Sequence, residues 1–150
     1  MKLLLQRVIQ ASVSVGGDEV AQIGEGLVCL VGVAQGDTEA DVRYLVDKTI
    51  NLRIFSDEAG KFNLSLLDVN GQILAVSQFT LLADTRKGRR PSFIQAALPV
   101  DAEVLFNRFV ELAKAMGLRV ETGCFQQHML VRIHNDGPVT VLLDSRDSKL

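Results

Sequence analysis

Two short segments carry residue types that an ordinary strand or turn does not require. Ser77-Gln78-Phe79-Thr80 places hydroxyl and amide side chains near the end of the apolar run Gln72–Leu82, which otherwise reads as a strand. Gly137-Pro138, in the segment NDGPVT (135–140), sets a proline where a sheet is continuing. Proline removes a ladder donor, so it belongs at an edge or a bulge. Ser and Thr are themselves acceptable in strands, and Gly-Pro is an ordinary turn pair, so neither segment alone names a reaction. A third feature is Arg86-Lys87-Gly88-Arg89-Arg90, a basic run in a chain whose net charge is −2. With that overall charge, any contact with nucleic acid must come from a local patch of this kind. A solvated basic loop is the plainer reading of the same residues.

Familiar catalytic signatures are missing. There is no G-x-S-x-G elbow, no P-loop, no HExxH, and no G-x-G-x-x-G after a strand. His128 and His134 are the only histidines. His134 alternates with its neighbours on an expected strand and reads as a surface residue, and nothing ties either histidine to a Ser–His–Asp triad. Cys29 lies in the apolar run LVCLVGV and reads as a small buried hydrophobe, while Cys124 has polar neighbours. Their separation fits neither a CxxC pair nor a metal site, and neither suggests a disulfide.

The elements that must position these residues can be read from periodicity. RVIQASVSV (7–15) ends in strict alternation and predicts a half-buried strand, which Gly16-Gly17-Asp18 turns back into Glu19–Ile23. Leu27–Ala34 is apolar on both faces and predicts a central strand. Asp37 or Thr38 caps a helix with Glu39 and Asp41 in its first turn, ending near Asn51. Leu52–Phe55 predicts a short strand. Asn70-Gly71 signals a hairpin into Gln72–Leu82. Pro99 and Asp101 open a second helix that Gly117 stops. Leu118–Glu121, Met129–Asn135 and Val139–Leu143 predict strands, and the polar end (about 145–150) is expected to fray. The order predicts an α+β fold, a mostly antiparallel, barrel-like sheet system with two helices.

The chain has 150 residues, 47% hydrophobic and 23% charged, which fits one domain spanning 1–150 with one core. Few aromatics and no Trp leave the core to Val, Leu and Ile. The longest apolar stretches are far too short to span a bilayer, and MKLLLQRVIQ lacks the pattern of a signal peptide, so the expected location is the cytosol.

Taken together, SQFTL (77–81), DTRKGRRPSF (84–93), NDGPVT (135–140), Arg7 to Val15 and LRIFSDEAGKFNLSL (52–66) closely resemble the D-aminoacyl-tRNA deacylases, colinearly over almost the whole chain. The resemblance implies a cytoplasmic ester hydrolase of translation quality control, without metal or cofactor. It would strip D-amino acids from tRNA, and glycine mischarged on tRNA-Ala, at the acceptor end. It implies a homodimer with active sites at the interface, in which a cis Gly137-Pro138 enters the partner's site and excludes L-aminoacyl groups. Ser77, Gln78, Phe79 and Thr80 would form the opposite wall, with main-chain N–H groups near Phe79 and Thr80 holding the ester carbonyl. Arg86, Lys87, Arg89 and Arg90 would contact phosphates, Phe79 and Phe125 would pack near the terminal adenosine, Arg7 would brace the Gly-Pro loop from within the fold, and Met129 would support the site. Thr80 is a tempting nucleophile, but no base to activate it is evident. One departure stands out: where the family shows FGADM or FAADM, this chain has Phe125-Gln126-Gln127-His128-Met129. Two other readings stay open. One is a same-fold editing enzyme for L-alanyl-tRNA, expected if Gly137-Pro138 were trans, and the other is a catalytically idle tRNA-binding module.

Overall fold

The computed structural model describes residues 1–149. Its organising element is β1 (Lys2–Val15), which starts five residues before the expected Arg7 because Leu3 and Leu5 are also buried. One edge of β1 pairs antiparallel with β2 (Asp18–Ile23) and β3 (Gly26–Gly32). The other edge pairs antiparallel with β8 (Leu130–Asp144). Beyond β3 the sheet continues through β6 (Gln72–Ser77) and β7 (Val120–Thr122), both parallel, and it curves into a nearly closed barrel. A two-stranded ribbon, β4 (Phe55–Ser56) and β5 (Phe62–Leu64), stands apart.

Helix α1 (Glu39–Asn51) begins at Thr38, whose backbone N–H donates to Asp41 Oδ2 at 2.8 Å, half of a capping box. Helix α2 (Pro99–Ala115) starts with Pro99 in its first turn, where the missing N–H has no helical partner to lose. The helices cover one face of the sheet, with Val42, Leu45, Ile50, Phe106 and Phe109 packing on Leu3, Leu5, Leu27 and Ala75. The other face closes on Val8, Ala11, Val13, Ile23, Val28, Leu74 and Val76.

Leu3, Leu5, Ala11 and Val13 share the same odd parity, yet they point into opposite cores. A register shift explains this: Val8 faces Asn135 and Gln10 faces His134, so Ile9 is an extra residue that reverses the alternation. Ile9 is accordingly 61% exposed. Before the shift, Arg7 lies on the same face as Leu3 and Leu5.

Several expectations are corrected. Asn70-Gly71 does not close a hairpin, because β6 pairs in parallel with β3 while β5, the strand before the turn, pairs with β4. The chain before it coils through Ser65–Asp68 side-chain bonds, and Gly71 packs against Leu66, where a Cβ would lie 2.5 Å from Leu66 Cδ1. The run Gln72–Leu82 is a strand only to Ser77. Phe79–Leu82 winds into a 3-10 turn that tucks Leu82 into the core over Gly32. The short strand expected at 52–55 forms later, as β4. The two strands expected at 129–135 and 139–143 are one, since the ladder to β1 resumes on the same neighbour after the Gly-Pro pair.

The end expected to fray is anchored where it begins. Ser145 is buried, its N–H donates to the Met1 carbonyl at 2.9 Å, and its hydroxyl accepts from the Met1 amino group at 2.8 Å. Residues 145–149 form a 3-10 turn, and Leu150 lies outside the described residues. The same amino group, buried, meets Asp37 Oδ1 at 2.7 Å. Replacing Asp37 by Asn removes the carboxylate bonded to that ammonium, leaving only the attraction of Asp41 and Asp144, and is expected to cost about 1–3 kcal/mol. The measurement is the denaturant midpoint, which falls with an unchanged slope. Gln126, in the turn after β7, carries φ +61°. Gln126→Gly relieves that left-handed backbone and is expected to raise stability by about 0.5–1 kcal/mol, read in the same way.

Candidate active site

The polar rim at the end of β6 follows from where the parallel ladder stops. Gln78 N–H donates to Val31 O at 2.8 Å, the last rung, and the chain then turns at Phe79. Leu81 N–H and Ala83 N–H are bonded within the 3-10 turn, to Gln78 O and Thr80 O. The N–H groups of Phe79 and Thr80, the first of that turn, have no intrahelical partner. Ser77 and Gln78 are half-buried, whereas Phe79 and Thr80 are exposed. The Thr80 hydroxyl accepts a hydrogen bond from Gln78 Nε2. Neither histidine hydrogen-bonds a serine or threonine among the described residues, and both are exposed. Burial pushes the Cys29 thiol far above its ordinary range, so it offers no nucleophile.

Aromatic residues border the rim. Phe79 stacks edge-on against Phe93, centroids 4.9 Å apart. Phe93 was not singled out from the sequence, although it ends the DTRKGRRPSF segment. Between them the basic loop is pinched shut by mutual backbone bonds of Asp84 and Ser92 at 2.8 and 2.9 Å. Lys87, Arg89 and Arg90 project into solvent. Arg86 instead folds back on Asp84, Nη2 to Oδ2 at 2.6 Å, and its hydrogen bond holds the Asp84 carboxyl down at about 2. On the other side, β7 runs beside β6, and Gly123 N–H donates to Ala75 O at 3.3 Å. Phe125 follows two residues later, half-buried, with its ring 6.2 Å from that of Phe106. Met129 Sδ fills the space beside Gly123. Gln126, Gln127 and His128 all face solvent in that turn.

The Gly-Pro pair lies on β8. Asn135 faces Val8 and Thr140 faces Gln6, so Asp136, Gly137, Pro138 and Val139 stand against Arg7 alone. The excess chain is expelled as a hook whose Asp136, Gly137 and Pro138 are exposed, and the Gly137-Pro138 bond is cis. Gly137 has φ +132°, and a Cβ there would meet Val139 Cγ2 at 2.8 Å, so only glycine fits.

Arg7 holds the hook from inside. It is 9% exposed, with Nε 3.2 Å from Asp136 O and 3.3 Å from Asp136 Oδ2, and Nη1 donating to Ile54 O at 2.8 Å. Asn135 Nδ2 closes the base of the hook, donating to Arg7 O at 2.8 Å and Val139 O at 3.0 Å. Asn135 and Asp136 were part of the NDGPVT segment but had not been assigned supporting work.

Rim and hook are not brought together within one chain. Arg7 stands opposite Leu27, and Leu27 opposite Ile73, well before Ser77 on β6. From strand rise and spacing, the two lie about 20 Å apart along the sheet.

Comparison with known proteins fits this geometry to a family. The D-Tyr-tRNA(Tyr) deacylase family model matches residues 4–144. A D-aminoacyl-tRNA deacylase of Dehalococcoides mccartyi is 60% identical over 98% of this chain and 96% of its own. That of Halothermothrix orenii is 58% identical over 97% of each chain. Among solved structures, a c-Myc DNA unwinding element binding protein aligns with TM-score 0.90 at 41% identity, covering 96% of this chain and 98% of its own. A "probable eukaryotic D-amino acid tRNA deacylase" aligns with TM-score 0.82 at 20% identity, over 95% of this chain and 97% of its own, a likeness of fold. The chain belongs to the D-Tyr-tRNA(Tyr) deacylase family and is an enzyme that hydrolyses D-aminoacyl-tRNA.

Proposed function

We propose that the active site is composite, with the Ser77–Thr80 rim of one copy facing the Gly137-Pro138 hook of a second. The observation that carries this reading is the hook itself: exposed backbone, left out of the ladder, and remote from the rim of its own chain. Among the described residues the edge of β8 away from β1 is unpaired, and the strand carries exposed Leu130 and Leu142, which suits a partner of the same kind.

In this site the exposed carbonyls of the hook accept hydrogen bonds from the substrate's α-ammonium. An L-residue held there drives its side chain into the Gly137-Pro138 backbone, whereas a D-residue turns its side chain away. Discrimination by a clash against the wrong hand is indifferent to side-chain type. Glycine, lacking a side chain, passes as well, so glycyl-tRNA mischarged on tRNA-Ala is a second substrate.

Opposite, the free N–H groups of Phe79 and Thr80 hold the ester carbonyl and the negative charge that grows on its oxygen. Water adds to the carbonyl carbon, the bond to the ribose oxygen breaks, and that oxygen takes the proton. Free amino acid and tRNA leave. A neighbouring ribose hydroxyl helps orient the water, and the protein's share is mainly positioning. Phe79, Phe93 and Phe125 flank the terminal adenosine. Lys87, Arg89 and Arg90 reach phosphates of the acceptor end, and Arg86, tied to Asp84, shapes the loop as much as it adds charge. Such an enzyme works in the cytoplasm as translation quality control.

Incubation of the purified protein with D-tyrosyl-, L-tyrosyl- and glycyl-tRNA tests the reading, ester loss being followed over time. Loss from the D and glycyl species alone is expected. Loss from L-tyrosyl-tRNA at the same rate overturns the clash, and binding without turnover points to an idle module. Because no base meets the Thr80 hydroxyl, Thr80→Val is expected to keep kcat within about tenfold of the parent, and a fall on the order of a thousandfold would make Thr80 the nucleophile.

A further inference from the structure

The segment LRIFSDEAGKFNLSL stands outside the rim and the hook, yet it supplies half of what surrounds Arg7. Its fold places two groups against the guanidinium. Ile54 O, just before β4, accepts from Nη1 at 2.8 Å. Phe62, on β5 opposite Ser56, sets its ring 5.4 Å from the Arg7 guanidinium carbon.

Core packing does not account for this ring. Phe62 is 56% exposed, on a ribbon paired at only two positions, and it is absent from both hydrophobic clusters. A large apolar side chain left half in water, over a cation that is itself buried, is placed for the cation. Its effect falls on the weaker side of the Arg7 network. The bond to Ile54 is short, while the contacts to Asp136 O and Oδ2 are 3.2 and 3.3 Å. Long bonds at an exposed segment are the ones that water displaces first. A ring over the guanidinium excludes that water from one face and keeps Nε aimed at the hook.

We propose that Phe62 is a positioning residue for handedness: acting through Arg7, it holds the Gly137-Pro138 hook in the orientation that rejects L-aminoacyl groups. The inference rests on the composite-site reading and deepens it, making the β4–β5 ribbon the hook's second support.

The test compares turnover of D-tyrosyl- and L-tyrosyl-tRNA by the full-length protein, well below its melting temperature. Phe62→Ala is expected to lower the D-over-L ratio roughly fivefold, the scale of one cation–π contact. Phe62→Tyr, which keeps the ring face, retains the ratio. In an Arg7→Lys background, which removes the planar guanidinium, Phe62→Ala changes the ratio no further. The proposal is overturned if Phe62→Ala leaves the ratio at the parent value, or if it lowers the ratio equally in both backgrounds. Should the parent protein itself turn over both hands alike, the reading of the hook fails and takes this inference with it. If the parent discriminates and the Phe62→Ala variant does so equally, only the role of Phe62 falls.

Discussion

A single guanidinium holds open a gap that the sheet would otherwise close. On β8, Asp136–Val139 stand against one residue of β1, so the backbone there has no ladder to satisfy it. Arg7 replaces the missing rungs. It points to the helix-side face, reaches Asp136 on the hook and Ile54 just before the ribbon, and lies under Phe62. Charge-assisted bonds of this kind contribute about 1.5–3 kcal/mol each, and losing their partner costs more than the bond returned. A lysine in that place would offer a point charge and no planar fork.

The other constraint is the pair of irregularities in the ladder of β1. The bulge at Ile9 reverses which side of the strand is which, so Arg7 shares a face with Leu3 and Leu5, and Val8 shares one with Ala11 and Val13. One residue farther along, β1 resumes pairing as though nothing had intervened. In the ladder to β8 the irregularity is confined to the stretch facing the hook, with regular pairing on both sides. The rim is made by the opposite economy: β6 ends early, and Gly32, having no Cβ, lets Leu81 and Leu82 lie close over β3. Two free N–H groups remain at the surface as a result.

Much of this was legible in the residues. The helices over 39–51 and 99–115 announce themselves by caps and spacing, β1 by the strict alternation that ends at Val15, and β3 by apolar residues on both faces. NDGPVT and SQFT drew attention because each breaks the pattern around it. Asn70-Gly71 misled for a local reason: it has the backbone freedom a hairpin wants, but whether the strand before it pairs with β6 depends on how Leu64–Leu67 pack. Where the polar tail begins is equally a matter of distant contacts, since Ser145 is bound by Met1.

The sequence by itself determined the fold class, the two segments that break the pattern around them, and the loop that carries the charge, because periodicity, glycine and proline constraints, and charge density act over a few neighbours. It did not determine that Phe62 and Ile54 meet Arg7 beneath the hook, or that rim and hook lie on distant parts of one sheet; that Arg7 braces the hook was expected from the resemblance alone. Those follow from strand register, and register is settled only when chain segments more than a hundred residues apart bury their faces together. A bulge of one residue shows nothing in composition, yet it decides which side chains share a surface.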